Sequence, residues 1–308
     1  MILTVTCNPS IDCRYNLPSF QKNGVHRSKQ LQRTAGGKGL NVSRVLHLLG
    51  NSFMSTGFLG GTNGNWILNE LNQMGIQHQF VPIQEETRSC LAILTEEPSQ
   101  TEILEQGPRI SQEEKNVFLN VFESLLEKAE WISASGSLPL GLGSDFYLEL
   151  GKLVRQKGKK FILDSSGESL EMGIMAQPFL IKPNREEFAS MFQEEMHNLE
   201  QVAKRARELC HRGVQNVLVS LGGDGALLVT DSTILKADIP AIRVVNPVGS
   251  GDAMIAGCLH AFANEGSIDE ALRYGCATGM ANALEEETGK VDPDLVKDLA
   301  SKVVIRTL

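Results

Sequence analysis

No two cysteines in this chain stand close enough in sequence to make a C-x-x-C pair. All six are scattered, at positions 7, 13, 90, 210, 258 and 276. Neither zinc ligation nor a disulfide framework is therefore expected, and isolated thiols suit a reducing compartment. Basic charge is also short. With 29 Lys and Arg against 37 Asp and Glu, the formal net charge is −8 and the pI near 5.4. General nucleic-acid binding wants a basic face, so no nucleic-acid partner is expected, while a local basic pocket inside an acidic shell stays open. Long apolar runs are missing too. No 18 consecutive residues are apolar, and the opening MILTVTCNPS has no basic segment before its strand-like run. The expectation is a soluble, cytoplasmic chain without a membrane partner. It has no linker, repeat or low-complexity stretch, which favours one domain over residues 1–308.

What is present is ordinary globular material. Hydrophobic residues make up 42% and charged residues 21% of 308 positions, enough for a substantial core. Short β-rich runs at Ile2–Thr6, Phe53–Leu59, Trp131–Ser135, Lys160–Ser165, Phe179–Pro183 and Asn216–Ser220 read as buried strands. Helical patterns lie between them. In SQEEKNVFLNVFESLLEKAE, Val117, Val121, Leu125, Phe118 and Phe122 recur at helix spacing. SDFYLELGKLVRQKG reads as a helix opening on a Ser cap and stopping at Gly158. Strand–helix alternation implies an α/β fold with a doubly wound, mostly parallel sheet flanked by helices. Two stretches, about 11–34 and 81–108, break that rhythm, and the second contains a hairpin pattern, SCLAIL…QTEILEQ. They are expected to pair apart from the main sheet as a small β lid.

Two glycine-rich stretches carry chemistry. In NPVGSGDAMIAG, Gly249, Ser250 and Gly251 precede Asp252 and an apolar helix. A helix start offers free N–H groups and partial positive charge, which suit an anion, whereas the carboxylate would repel one. The conflict resolves if the amides hold a phosphoryl group and Asp252 accepts a proton, the two needs of phosphoryl transfer. The plainer alternative is that Ser250 or Asp252 caps the helix. The second stretch, TAGGKGLNVSRVLHLLG, is neither a Walker A loop nor a dinucleotide fingerprint. Lys38 suits a phosphate and Asn41 suits sugar hydroxyls, while a tight turn into a helix is the plainer alternative. His26, His47, His78 and His211 show no metal spacing.

Together and in this order, AGGKGLN and NPVGSGDAMIAG resemble the two signatures of the PfkB/ribokinase family of sugar kinases, a likeness that spans essentially the whole chain. TRSCLAIL, QTEILEQGP, ISASGSLPLG, ILDSSGESL, IKPNREE, VSLGGDGA and GMANALEEETG are most similar to segments of the tagatose-6-phosphate kinases within it. The resemblance implies a ribokinase-like fold and ATP-dependent phosphorylation of D-tagatose 6-phosphate at its C1 hydroxyl. Fructose 1-phosphate, or another phosphosugar, is the alternative acceptor. Asp252 is implied as the base, and Gly249, Ser250 and Gly251 as the anion hole. Asp12 in NPSID, Gly37, Asn41 and Ser137 are implied as sugar contacts, with Arg27, Lys38 and Arg88 around the substrate's own phosphate. On the nucleotide side stand Lys182, Asn184, Ser220, Gly222, Gly225 and Asn282. Asn184 and Glu187 form an N-x-x-E element implied to meet Mg²⁺ through water, in keeping with that ion's reluctance to dehydrate. For Glu187 the alternative is a first-turn charge on a helix, and for Gly222 and Gly225 a hairpin turn. A homodimer through the lid is also implied, since extended lid strands carry open edges.

Overall fold

The computed structural model describes residues 1–28, 30–95 and 100–308. The chain runs β1 (Ile2–Thr6), β2 (Ser10–Leu17), β3 (Leu31–Gly36), α1 (Lys38–Leu48), β4 (Phe53–Gly60), α2 (Gly61–Gln73), β5 (Val81–Ile83), β6 (Arg88–Thr95) and β7 (Gln100–Leu104). Then come α3 (Gln112–Leu126), β8 (Trp131–Ser135), α4 (Phe146–Gln156), β9 (Lys160–Asp164), α5 (Gly167–Ile174), β10 (Leu180–Ile181), α6 (Arg185–Phe192) and α7 (Leu199–His211). It closes with β11 (Asn216–Ser220), β12 (Ala226–Val229), β13 (Ile234–Asp238), α8 (Ser250–Ala263), α9 (Ile268–Ala283), α10 (Pro293–Lys302) and β14 (Val304–Thr307).

Ten strands form one sheet in the order β14-β13-β12-β11-β10-β9-β8-β1-β4-β5. The pairings from β11 through β5 are parallel, and those among β11, β12, β13 and β14 are antiparallel. Parallel strands covered on both faces are apolar on both sides, and β1 obeys that rule with all five residues buried. Ile2 joins one core with α1, α2, α8, α9 and α10, while Leu3 and Val5 join the other with α3 through α7. Helices on both faces are the consequence.

Four further strands, in the order β3-β2-β6-β7, form a separate sheet. β6 and β7 are the hairpin partners, Cys90 opposite Leu104. The stretches expected to form a lid include Lys29 and residues 96–99, which lie outside the described residues. One part of that expectation is corrected: Val81–Ile83 pairs with Phe58–Gly60 and belongs to the main sheet, not the smaller one. Its inward Val81 and Ile83 are buried against the α3 side of the core, which fixes the strand there. A second correction concerns α4, whose N-cap is Asp145 with no side-chain bond, so Ser144 does not cap it. The same helix still ends where expected, next to Gly158 at φ +68°. In α3 the buried side is Phe118, Phe122, Leu125 and Leu126, while Val117 is exposed. Among the described residues no helix is long and apolar enough to cross a membrane.

Candidate active site

A cavity of about 590 Å³ lies between the two sheets, lined from the large one by Lys38, Asn41, Lys182 and Asp252 and from the small one by Asp12 and Arg88. Residues just beyond the carboxyl ends of parallel strands build its floor: Asn8 after β1, Ser137 after β8, Ser165 after β9 and Lys182 after β10. Ligands of open α/β sheets bind at such ends, because the loops there converge while the strands hold them in place.

α8 enters this cavity with its first turn. Gly249 is the N-cap at φ +78°, and no side chain caps the helix, so Ser250 and Asp252 are not used as caps. The amide end therefore stays available to an anion. Gly249 is required by its positive φ and its packing, while at Gly251 a side chain would only crowd a movable lysine tip. A Cβ on Gly249 would sit 2.4 Å from Thr288 Cγ2, and one on Gly251 would sit 2.9 Å from Lys182 Nζ.

Asp252 is buried, and its Oδ2 accepts a hydrogen bond of 2.7 Å from Asn41 Nδ2. Among the described residues its Oδ1 takes none. Burial, and then the neighbouring Asp164 carboxylate, push its pKa up to about 6, against the opposing pull of Lys38, Asn41 and Lys182. Asp164 stands between two ammonium groups, Lys38 Nζ at 3.4 Å from Oδ1 and Lys182 Nζ at 3.5 Å from Oδ2. Lys38 also lies 3.8 Å from Glu187 Oε1, and the Asp164 charge is the main cause raising its pKa. Half-exposed Lys38 and buried Lys182 thus flank the buried Asp164, with Asp252 as a further carboxylate beside them.

At the other end of the cavity Asp12 is held on β2, its Oδ1 accepting from Ser10 Oγ at 2.6 Å. Burial is the largest cause raising its pKa, ahead of the lowering by Ser10. Gly36 on the paired strand leaves the room, since a Cβ there would fall 2.1 Å from the Asp12 carboxyl. Thr6 Oγ1 and Asn8 Oδ1 are buried in the lining without a hydrogen-bond partner. Unspent acceptors and donors of this kind suit a ligand rich in hydroxyl groups.

Residues 5–295 match the family described as pfkB family carbohydrate kinase. The chain belongs to the pfkB family of carbohydrate kinases. A Staphylococcus aureus protein assigned as a phosphofructokinase shares 35% identity, with 100% of this chain and 99% of that one covered at a TM-score of 0.86. Phosphofructokinase-2 from Escherichia coli shares 27%, with 97% and 98% covered at a TM-score of 0.90. A Thermotoga maritima protein assigned as a 1-phosphofructokinase shares 28%, with 100% and 99% covered at a TM-score of 0.91. The α/β fold of this pfkB-family kinase is accordingly ribokinase-like, as the sequence resemblance implied.

The structure brings most of the expected residues of the kinase to one place. Asp12, Gly37, Lys38, Asn41, Arg88, Ser137, Lys182, Asn184, Glu187, Ser220, Gly249, Gly251 and Asp252 all line the cavity. Five do not. Arg27 is exposed and away from the lining, and the expected trio with Lys38 and Arg88 is not assembled within this chain. Lys38 is drawn instead to Asp164 and Glu187, and Arg88 donates to the carbonyls of Glu105 (2.8 Å) and Asn8 (3.0 Å). Ser250 is the first residue of α8, with Oγ 3.3 Å from Asn282 Nδ2. Asn282 is spent on its neighbours: Nδ2 donates to Val248 O, and Oδ1 accepts from Gly289 N, each at 2.8 Å. Gly222 and Gly225 bound a one-turn 3₁₀ segment between antiparallel β11 and β12, the hairpin-turn alternative.

Asn184 and Glu187 form a reciprocal capping box on α6. Glu187 N donates to Asn184 Oδ1 at 2.8 Å, and Asn184 N donates to Glu187 Oε2 at 2.9 Å. The first-turn alternative for Glu187 is therefore observed, and only its Oε1 is left facing Lys38. Three residues in or behind the cavity were not singled out by the sequence reading: Asn8 in its lining, and Asp164 and Arg44 behind it. For Asp164 a signal existed, an acidic side chain at the carboxyl end of a buried strand run.

Proposed function

We propose that this pfkB-family kinase transfers the terminal phosphoryl of ATP to the C1 hydroxyl of D-tagatose 6-phosphate, giving the 1,6-bisphosphate. One observation carries the chemistry: a buried carboxylate with one free oxygen, set in the first turn of an uncapped helix that faces the cavity. As the C1 oxygen bonds to phosphorus and the bond to the ADP oxygen breaks, the hydroxyl proton passes to Asp252 Oδ1. The raised pKa of Asp252 makes it a better acceptor than an ordinary carboxylate, while leaving it ionised near neutrality. Amides of Gly249 to Gly251 would hold the moving phosphoryl, with charge stabilisation that needs no reorganisation. Asp12, Gly37, Asn41 and Ser137 would take the sugar hydroxyls, Arg88 the substrate phosphate, and Lys182 the nucleotide phosphates.

Mg²⁺ fits the residues present. Glu187 lines the cavity with its Oε1 3.8 Å from Lys38, and behind it the buried Asp164 carboxylate, without a hydrogen bond to its Oδ2, lies 3.5 Å from Lys182 Nζ. That sparse carboxylate set suits an ion that keeps its waters and rides on phosphate oxygens. Bound there, it would neutralise charge growing on the phosphates.

The choice of tagatose 6-phosphate is supported by segment resemblance, from TRSCLAIL to GMANALEEETG. A second reading, a phosphofructokinase, is supported by the three solved relatives. Purified protein with ATP should show its highest kcat/KM on D-tagatose 6-phosphate, measured beside fructose 6-phosphate and fructose 1-phosphate. A higher value on either fructose ester would replace the acceptor, and turnover on none would remove all three hexose phosphates as its substrate.

In this reading the smaller sheet is the lid, closing over the sugar to keep water out. Arg14 on β2 already donates to Glu286 O across the cavity at 2.7 Å. A cytoplasmic location accords with six free, buried cysteines. The edges β3 and β7 expose Leu31, Ile103 and Leu104, which a second copy's lid would cover. Light scattering at micromolar concentration should give twice the 33.6 kDa chain mass, and a monomer throughout would remove the lid-to-lid dimer.

A further inference from the structure

Lys38, Asn41 and Arg44 recur at intervals of three on α1, so they share one side of that helix. Lys38 and Asn41 reach the cavity, and Arg44 lies behind Asn41, buried to 6% exposure. Its Nη1 donates to Ala35 O at 2.6 Å, and its Nη2 donates to Asn41 Oδ1 at 2.6 Å and Thr288 O at 2.8 Å. A guanidinium has donors only. The oxygen of the Asn41 amide must therefore face Arg44, and its nitrogen must face Asp252. The opposite orientation would set N–H against N–H at one end and oxygen against carboxylate at the other.

We propose that Arg44 is a positioning residue for the transfer: it locks the Asn41 amide so that only Nδ2 meets Asp252 Oδ2, leaving Oδ1 free for the sugar hydroxyl. The proposal rests on Asp252 being the base. Asp252 is faced by Lys38 and Asn41 from α1, Asp164 from β9 and Lys182 from beyond β10, and Arg44 is faced by Asp12, Glu287 and Asp252. The Asn41 bond lowers the Asp252 pKa against burial. An amide free to turn over would withdraw that help for part of the time and offer an oxygen instead. The base would then be protonated at a higher pH.

The test is the pH dependence of kcat at saturating ATP and hexose phosphate, for wild type, R44M, N41L and the double variant. R44M is expected to move the acid limb up by about one pH unit and to lower kcat near pH 6 by about fivefold, with KM for ATP little changed. N41L should give a similar shift, and the double variant no more than either. R44K keeps the charge and a donor, so its limb should return towards that of wild type. An unmoved limb in R44M overturns the proposal. So does a further shift when R44M is added to N41L, because Arg44 would then act through its charge rather than through the amide. Should R44M not fold, R44Q takes its place, and failure of both would make the guanidinium a prop of the fold, which equally overturns it. D252N separates the two readings. Near-normal kcat there removes the base and this proposal together, whereas a collapsed kcat with an unmoved R44M limb removes this proposal alone.

Discussion

Asp252→Asn is expected to lower kcat by at least about 100-fold, the usual scale of a lost general base. The substitution keeps the shape, and the new amide oxygen can still accept from Asn41. It removes only the carboxylate proposed to take the proton. Stability should not suffer, because burial is the main cause holding the carboxyl above its ordinary range, and a neutral amide escapes that cost. Sugar-dependent ADP release, measured with a thermal melt of the same sample, checks both halves. A kcat within about threefold of wild type would reject Asp252 as the base, and a collapsed melt would mean the rate loss reports unfolding.

The second large effect is on the frame rather than the chemistry. Gly57 stands opposite Thr6 in the β1–β4 pairing, and a Cβ there would lie 1.9 Å from the Thr6 carbonyl oxygen and 3.0 Å from the Phe80 ring. Its φ of +153° also departs from what side chains favour. Gly57→Ala must push apart two strands in the interior of the sheet, directly below the loop that carries Asn8. We expect a loss on the order of 4 kcal/mol, and a melting midpoint lower by roughly 10 °C. A shift of only a degree or two would show that β1 and β4 can separate freely at this point.

Much of the fold was legible because local pattern and tertiary role agree. Ile2–Thr6, Trp131–Ser135 and Asn216–Ser220 are strands to the residue, since buried parallel strands are apolar on both faces. Phe179–Pro183 shrinks to Leu180–Ile181, because Lys182 already turns into the cavity. Helix spacing alone does not say which stripe is buried, as Val117 shows. It keeps helix spacing with Val121, but α3 buries the adjoining stripe of Phe118 and Phe122. Val81–Ile83 offered three residues and a proline, too few to reveal which sheet it joins.

The candidate site divides in the same way. Glycines before a helix can be read from a string, and so can an Asn–Glu pair three apart, because both are short-range. Asp164 could not be assigned a role from its neighbours, since the lysines that define its surroundings stand at 38 and 182. Arg44 looked like one more helix residue. Its meaning depends on Asn41 and on Thr288, which reaches it from the far end of the chain. Asn282 shows the converse: a family-like position whose side chain is occupied in bracing Val248 and Gly289.

β1 is the first strand in the chain, yet it stands inside the ten-stranded sheet with β4 on one side and β8 on the other. During synthesis β4 emerges soon after it, but its other neighbour, Trp131–Ser135, comes far later. Until then one whole flank of an entirely buried strand has no partner within the growing polypeptide. Such a flank is open to strangers and to chaperones alike, so the interval on the ribosome between these two strands is when the nascent molecule is most vulnerable to mispairing.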